Sequence, residues 1–174
     1  MLQTIEFDLP GVILIIRPKY LDERGSFLEL YNDEISSFLG EVQFAQENIS
    51  YSKNGVIRGM HWQEEPFSQA KLVTCLSGKI KDVVLAIDSE SPQFGEHLEV
   101  ILDSPDKSLW IPRGYAHGFE SLSDNTIVNY KVDQVRNPNF ERRLNPLSTN
   151  LKQLWTHPNP IISSADLSGD FFKP

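Results

Sequence analysis

Cysteine is almost absent: Cys75 is the one thiol in 174 residues. No intramolecular disulfide can form, so the fold must rest on packing, and a reducing compartment is permitted. Cys75 stands in the run Lys71-Leu72-Val73-Thr74-Cys75-Leu76 and reads as a small buried hydrophobe. Long apolar runs are also missing. None exceeds the length of Val12 to Ile16, which is far too short to cross a bilayer. Residues 1–8 place no basic segment ahead of an apolar one, so a secretory signal is not expected and a cytoplasmic location is. Positive charge is scarce, with 16 Lys and Arg against 24 Asp and Glu and a formal net charge of −8. No basic stripe is visible, which argues against nucleic-acid binding. An anionic ligand would have to be held by a few local cations against an unfavourable overall field. No linker, repeat or low-complexity stretch interrupts the chain, and its length suits one core, so a single domain over 1–174 is expected.

What is present is mostly strand. Val12–Ile16, Phe27–Tyr31, Val42–Ser50, Val56–Trp62, Lys71–Leu76, Ile80–Ile87, His97–Leu102, Ser108–Ile111 and Thr126–Val132 are short runs rich in β-branched and aromatic residues. Turn residues punctuate them at Asp22-Glu23-Arg24-Gly25, Lys53-Asn54-Gly55, Ser77-Gly78, Asp103-Ser104-Pro105 and Ser123-Asp124-Asn125. Short strands at this spacing predict a sandwich or closed barrel. Two helices are expected. One covers Asn32–Gly40, with an Asx start and a Gly stop; the other covers Leu147–Trp155, with Leu147, Leu151, Leu154 and Trp155 on one face. The Pro- and Ser-rich stretch from His157 onward is expected to wrap the barrel irregularly.

Two segments carry chemistry: Gly55-Val56-Ile57-Arg58-Gly59-Met60-His61-Trp62-Gln63 and Ile111-Pro112-Arg113-Gly114-Tyr115-Ala116-His117-Gly118-Phe119. They resemble the two cupin motifs. Metal cupins carry a second histidine where Gln63 stands and a glutamate in the region of Lys71. A divalent ion needs several deprotonated lone-pair donors. His61 and His117 with an amide and an ammonium are a poor set, so no metal is expected. Two histidines facing one barrel interior then favour acid–base chemistry. His61 alone would read as a satisfied core histidine. That reading weakens because Arg58, His61, Lys71 and His117 would all have to be structural in one small barrel. His97 and His157 read as non-functional.

Over almost its whole length the chain resembles the dTDP-4-dehydrorhamnose 3,5-epimerase family. The matching stretches include Asp22 to Glu29, Gln46-Glu47-Asn48-Ile49-Ser50, Gly55 to Gln63, Gln69 to Val73, Gly78 to Val84, Ser91 to Gly95, Ile111 to Phe119, Tyr130-Lys131 and Pro160 to Asp166, in order and at the family's spacing. The resemblance implies a mainly β, cupin-type double-stranded β-helix (jelly-roll) barrel with a few short helices, and a cofactor-free epimerase. It implies His61 as general base, Asp166 as its dyad partner, Tyr130 as the acid on the opposite face and Lys71 as stabiliser of the enolate oxygen. Arg24, Phe27, Glu29, Gln46, Asn48, Arg58, His117 and Glu141 match substrate-binding positions for a dTDP-linked 4-keto-6-deoxyhexose. A homodimer follows from the resemblance, with the Arg24–Glu29 strand reaching across the interface. Without it, Asp166 reads as a cap within Ser163-Ser164-Ala165-Asp166, Tyr130 as a barrel-filling aromatic, Asp82 as a strand-end residue and Arg24 as a solvated turn.

Four departures bear on the substrate. The chain has Ala86-Ile87-Asp88 where the family usually has Asp-x-Arg. Arg136 replaces a second tyrosine, Arg143-Leu144-Asn145-Pro146 replaces Trp-Asp-Asp-Pro, and Ala165 stands where a basic residue often precedes the final Asp. The alternatives are therefore an epimerase acting at carbon 3 or 5 only, and, from another class, a non-catalytic sugar-binding cupin. A keto-isomerase is disfavoured because Tyr130 and His61 are both present, and a metal-dependent cupin because of Gln63 and Lys71.

Overall fold

Strands β7 (Lys71–Ser77) and β8 (Ile80–Ala86) are buried along most of their length because each belongs to a sheet covered on both faces. The computed structural model describes residues 1–173; Pro174, the last position of the expected domain, lies outside the described residues. The remaining strands are β1 (Gln3–Glu6), β2 (Ile13–Ile16), β3 (Tyr20–Asp22), β4 (Gly25–Phe27), β5 (Gln46–Ser52), β6 (Ile57–Gln63), β9 (His97–Leu102), β10 (Lys107–Ile111), β11 (Tyr115–Ser121), β12 (Thr126–Val132) and β13 (Glu141–Arg143). One sheet runs β1-β2-β10-β7-β12-β5 and the other β13-β6-β11-β8-β9, with β3 and β4 as a separate hairpin. The two sheets face each other as a cupin-type jelly roll.

Side-chain alternation sorts the strands into layers. Val73, Cys75, Ile80, Val84, Leu109, Phe119 and Val128 point between the sheets and form the inner core. Val83 and Leu85, one residue out of phase, lie under Leu144, Leu151, Leu154, Trp155 and Phe172 of the C-terminal segment. Leu72 and Trp110 are covered on the other outer face by Ile35 of helix α1 (Asp33–Phe38). Each such aliphatic side chain contributes about 1.5–3 kcal/mol when fully buried. The inner core fills one end of the barrel and leaves the other open, where polar residues of β5, β6, β7, β11 and β12 face inward.

Several expectations are corrected. The run Phe27–Tyr31 is a strand only up to Phe27; Glu29 accepts a hydrogen bond from Asn32 Nδ2 (2.7 Å), and Asn32 caps α1. The Val42–Ser50 strand begins later, at Gln46, and runs to Ser52. The Leu147–Trp155 helix is replaced by turns and a 3-10 segment, Lys152–Leu154. Asn145 and Ser148 accept backbone N–H bonds there, and Leu154 bonds to the Leu151 carbonyl at 3-10 spacing. Leu151, Leu154 and Trp155 are buried as expected, while Leu147 is exposed. The stretch after His157 is not wholly irregular. Ile161 pairs with Gly55 and Ile57, and helix α2 (Ser164–Leu167) follows, with Ser163 rather than Asp166 as its N-cap. Cys75 is fully buried, and burial pushes its thiol up to about 11. Among the described residues, no helix is long and apolar enough to cross a membrane.

Candidate active site

A cleft of about 590 Å³ opens at the polar end of the barrel, and His61, Lys71, Tyr130, Arg58, Glu141 and Asp166 all reach it. A bulge makes this convergence possible. Arg58 lies opposite Phe119 and His61 opposite His117, so β6 has one residue more than β11 over the same span. Side chains three apart on a regular strand point to opposite faces; the extra residue turns both Arg58 and His61 inward. The crossover is tight. A Cβ on Gly59 would lie 2.4 Å from the Gly118 Cα, and Gly59 has φ +132°, so only glycine fits.

His61 Nε2 and Asp166 Oδ1 are 2.5 Å apart across 105 residues of sequence. Asp166 is delivered by the C-terminal segment. That segment is held by Glu120, which accepts bonds from Thr156 and His157, by the Ile161 pairing, and by Ser163, whose Oγ accepts the Asp166 N–H (3.1 Å). Burial pushes the Asp166 carboxyl up, but the bond and charge of His61, the Ser163 contact and the Arg143 charge together hold it below the usual carboxylate range. It therefore stays ionised, and its partner Nε2 carries the ring proton, leaving Nδ1 as the basic nitrogen.

Lys71 is 8% exposed, and its Nζ donates to the His61 carbonyl oxygen (3.1 Å). Burial lowers its pKa to about 8, against the opposing pull of Asp82 and Glu141. Tyr130 is registered beside Val73 of β7 and Asn48 of β5, on the sheet facing His61. Burial raises its phenol pKa, with the Arg58 charge opposing, so it is a protonated donor at neutral pH. Arg58 is braced by Ser52 Oγ (3.1 Å) and the Tyr51 carbonyl (3.0 Å). Gln46 and Asn48 line the same wall and are joined at 2.7 Å. Glu141 binds Arg136 through Oε2 (2.6 Å) and Arg143 through Oε1. Burial pushes its carboxyl up, but the two arginines outweigh this and lower it.

His117 is in the wall, and its Nε2 lies 2.7 Å from Oδ1 of fully buried Asp82. Asp82 is thus a mid-strand partner of a histidine rather than a strand-end residue. Period-two alternation from Ile80 and Val84 is the one sequence signal that places it inward. Gln63 is committed to the chain: its amide donates to the Phe67 and Val135 carbonyls and accepts from Asn137 N–H. Among the described residues, no three His, Cys, Asp or Glu side chains gather as metal ligands.

Three expected residues are not in this cleft. Arg24 and Phe27 sit on the β3–β4 hairpin, with Arg24 paired to Asp22 (2.6 Å) and Phe27 64% exposed, and Glu29 lies just beyond. Arg143 was not among the expected site residues, yet it lies in the cleft beside Asp166.

The family model for dTDP-4-dehydrorhamnose 3,5-epimerase matches residues 6–173. A dTDP-4-dehydrorhamnose 3,5-epimerase from Shigella flexneri is 39% identical over 98% of this chain and 96% of its own. The crystal structure of the Bacillus anthracis dTDP-4-dehydrorhamnose 3,5-epimerase, with TDP and PPi bound, superposes with a TM-score of 0.93 at 33% identity, covering 99% of this chain and 100% of that one. A 3'-monoepimerase from Streptomyces bikiniensis, in complex with dTDP-quinovose, gives a TM-score of 0.88 at 28% identity over 95% and 85%. A match across nearly the full length, on a barrel that holds a histidine–carboxylate pair facing a tyrosine, establishes that the chain belongs to the dTDP-4-dehydrorhamnose 3,5-epimerase family.

Proposed function

We propose that the chain inverts carbons 3 and 5 of a dTDP-linked 4-keto-6-deoxyhexose by proton transfer through an enolate. The observation that carries the reading is the placement of His61 and Tyr130 on opposite sheets across one cleft. A sugar ring lying between them presents one face to a base and the other to an acid, which is what inversion requires. Both carbons adjoin the 4-keto group, so the same carbonyl acidifies each proton. Nδ1 of His61 takes the proton, Asp166 stabilises the imidazolium, and the Lys71 ammonium meets the developing enolate oxygen in a dry site. Tyr130 then delivers a proton to the far face. His117, with Asp82 behind it, is a second donor in the wall of the cleft. Arg58, Gln46, Asn48 and Glu141 contact substrate, with Arg58 suited to the diphosphate.

Arg24, Phe27 and Glu29 enter this scheme from a second copy of the chain, in a cytoplasmic homodimer whose β3–β4 hairpins exchange. The exposure of that hairpin supports the assignment. Each copy is a single cupin domain over 1–174. A second reading, inversion at one carbon only, is favoured by Arg136 in place of the second tyrosine and by the structural likeness to a 3'-monoepimerase.

Incubation with dTDP-4-keto-6-deoxyglucose in deuterated water separates the readings by which carbon-bound protons exchange. His61→Asn should lower turnover by about two to four orders of magnitude. Tyr130→Phe should exchange protons faster than it forms product, measured by nuclear magnetic resonance with a reductase trapping the product. A folded His61→Asn with wild-type activity would exclude the mechanism.

A further inference from the structure

His61 shares its carboxylate with a second cation. Arg143 is registered opposite His61, and its Nε lies 3.7 Å from Asp166 Oδ1, the oxygen that His61 Nε2 meets at 2.5 Å. That Nε is buried and makes no hydrogen bond. The guanidinium is held from its other end by Glu141, which also binds Arg136. Its position is therefore set by β13 and not by Asp166. The α2 segment brings no cation of its own next to Asp166, since residue 165 is alanine.

We propose that Arg143 is a positioning residue for the base, dividing the charge of Asp166 between itself and His61 and so opposing formation of the imidazolium. The inference depends on the proposed role of His61. A carboxylate in contact with an imidazole favours the imidazolium, which cannot accept a proton. A guanidinium fixed beside the same oxygen takes up part of the carboxylate's charge and also repels an imidazolium directly. Both effects act in one direction.

The other charges around the cleft do not replace it. Lys71 on β7, Arg58 on β6 and Arg136 after β12 add positive charge, but none of them is paired with Asp166. Glu141 on β13 is bound by two arginines, Asp82 on β8 is bound to His117 on β11, and Tyr130 on β12 is neutral at this pH. Arg143 is thus the cation that stands between the dyad carboxylate and an undivided pairing with His61.

The test is the pH dependence of kcat/KM for Arg143→Met, which keeps much of the aliphatic stem, and Arg143→Lys, which keeps the charge. Arg143→Met should move the acid limb to higher pH by about half a unit or more, and Arg143→Lys should move it less. The ring-nitrogen signal of His61 in substrate-free protein, identified by its loss in His61→Asn, should shift in the same sense. If limb and ring signal both stay within about 0.2 unit of wild type, the inference is overturned. A lowered plateau with an unmoved limb also overturns it, making Arg143 a substrate contact. Should the Met variant fail to fold, Arg143→Gln, which also removes the charge, carries the test under the same criterion. Full activity in His61→Asn would instead defeat the assignment of the base.

Discussion

Replacing Lys71 with methionine should stabilise the protein while disabling it. Burial lowers the Lys71 pKa from 10.5 to about 8. At about 1.4 kcal/mol per pH unit, keeping the ammonium charged in the folded state costs about 3 kcal/mol as an upper bound. Methionine has nearly the same stem and no charge. It forfeits the charge-assisted bond from Nζ to the His61 carbonyl, a loss of about 1.5–3 kcal/mol. The net gain near pH 7 is then at most about 1.5 kcal/mol, or up to about 3–6 °C in Tm for a chain of this size.

The sign with pH is fixed. Below about 8 the wild-type protein bears the whole cost. Between about 8 and 10.5 the unfolded chain keeps a proton that the folded chain releases, so wild-type stability rises with pH and the advantage of the variant fades. Urea denaturation at fixed protein concentration, at neutral and alkaline pH, measures both. A Lys71→Met variant less stable than wild type at neutral pH, or an advantage that does not shrink with rising pH, refutes the reasoning. The same variant should lose about two to three orders of magnitude in kcat, because the enolate loses its cation. Wild-type kcat/KM should fall on the alkaline side as that cation is discharged above about 8.

Prolonged chelation should leave activity intact, because Gln63 is spent on backbone partners and the neighbouring inward group is an ammonium; activity lost on chelation and restored by a divalent ion would refute this. Gly118→Ala should cost about 1–3 kcal/mol, since its Cβ would meet the Arg58 carbonyl and Met60 Sδ at 2.9 Å. The same crowding pushes on the bulge that aims Arg58 and His61, so kcat at a temperature where the variant is folded should fall too; an unchanged Tm with unchanged kcat would count against the glycine-to-glycine contact as a constraint.

Legibility from sequence depended on whether the signal was local. Strands β6, β7, β8, β9, β10 and β12 are apolar runs ended by turn residues, and the sequence expectation places them to within a residue or two. The β11 strand was not among the expected ones because Pro112, Gly114 and Gly118 break up its apolar run, whereas Gly118 is small in order to let Gly59 pass. The C-terminal helix misled because Leu151, Leu154 and Trp155 keep an apolar face that turns can also present. His61 and Lys71 stood out as polar groups in or beside the two motif segments, whereas Tyr130 entered through the family resemblance and otherwise read as a barrel-filling aromatic. Asp82 and Arg143 did not stand out, because their partners His117 and Asp166 come from remote segments and no spacing rule links them. Arg24, Phe27 and Glu29 matched a family pattern, while in a single chain they lie outside the cleft.

The route by which Asp166 reaches His61 has a consequence for how the protein becomes active. All the barrel strands lie before residue 144, and the dyad is completed by a short tail clipped on through Glu120, Gly55 and Ser163. Contacts spanning this much sequence close late in folding, after the loop entropy has been met by the barrel. A chain with its barrel formed and its tail undocked would already display Lys71 and Tyr130 across the cleft, yet His61 would lack the group that orients it. Recovery of activity after dilution from urea is therefore expected to lag behind the burial of Trp110, and simultaneous recovery would refute this order of events.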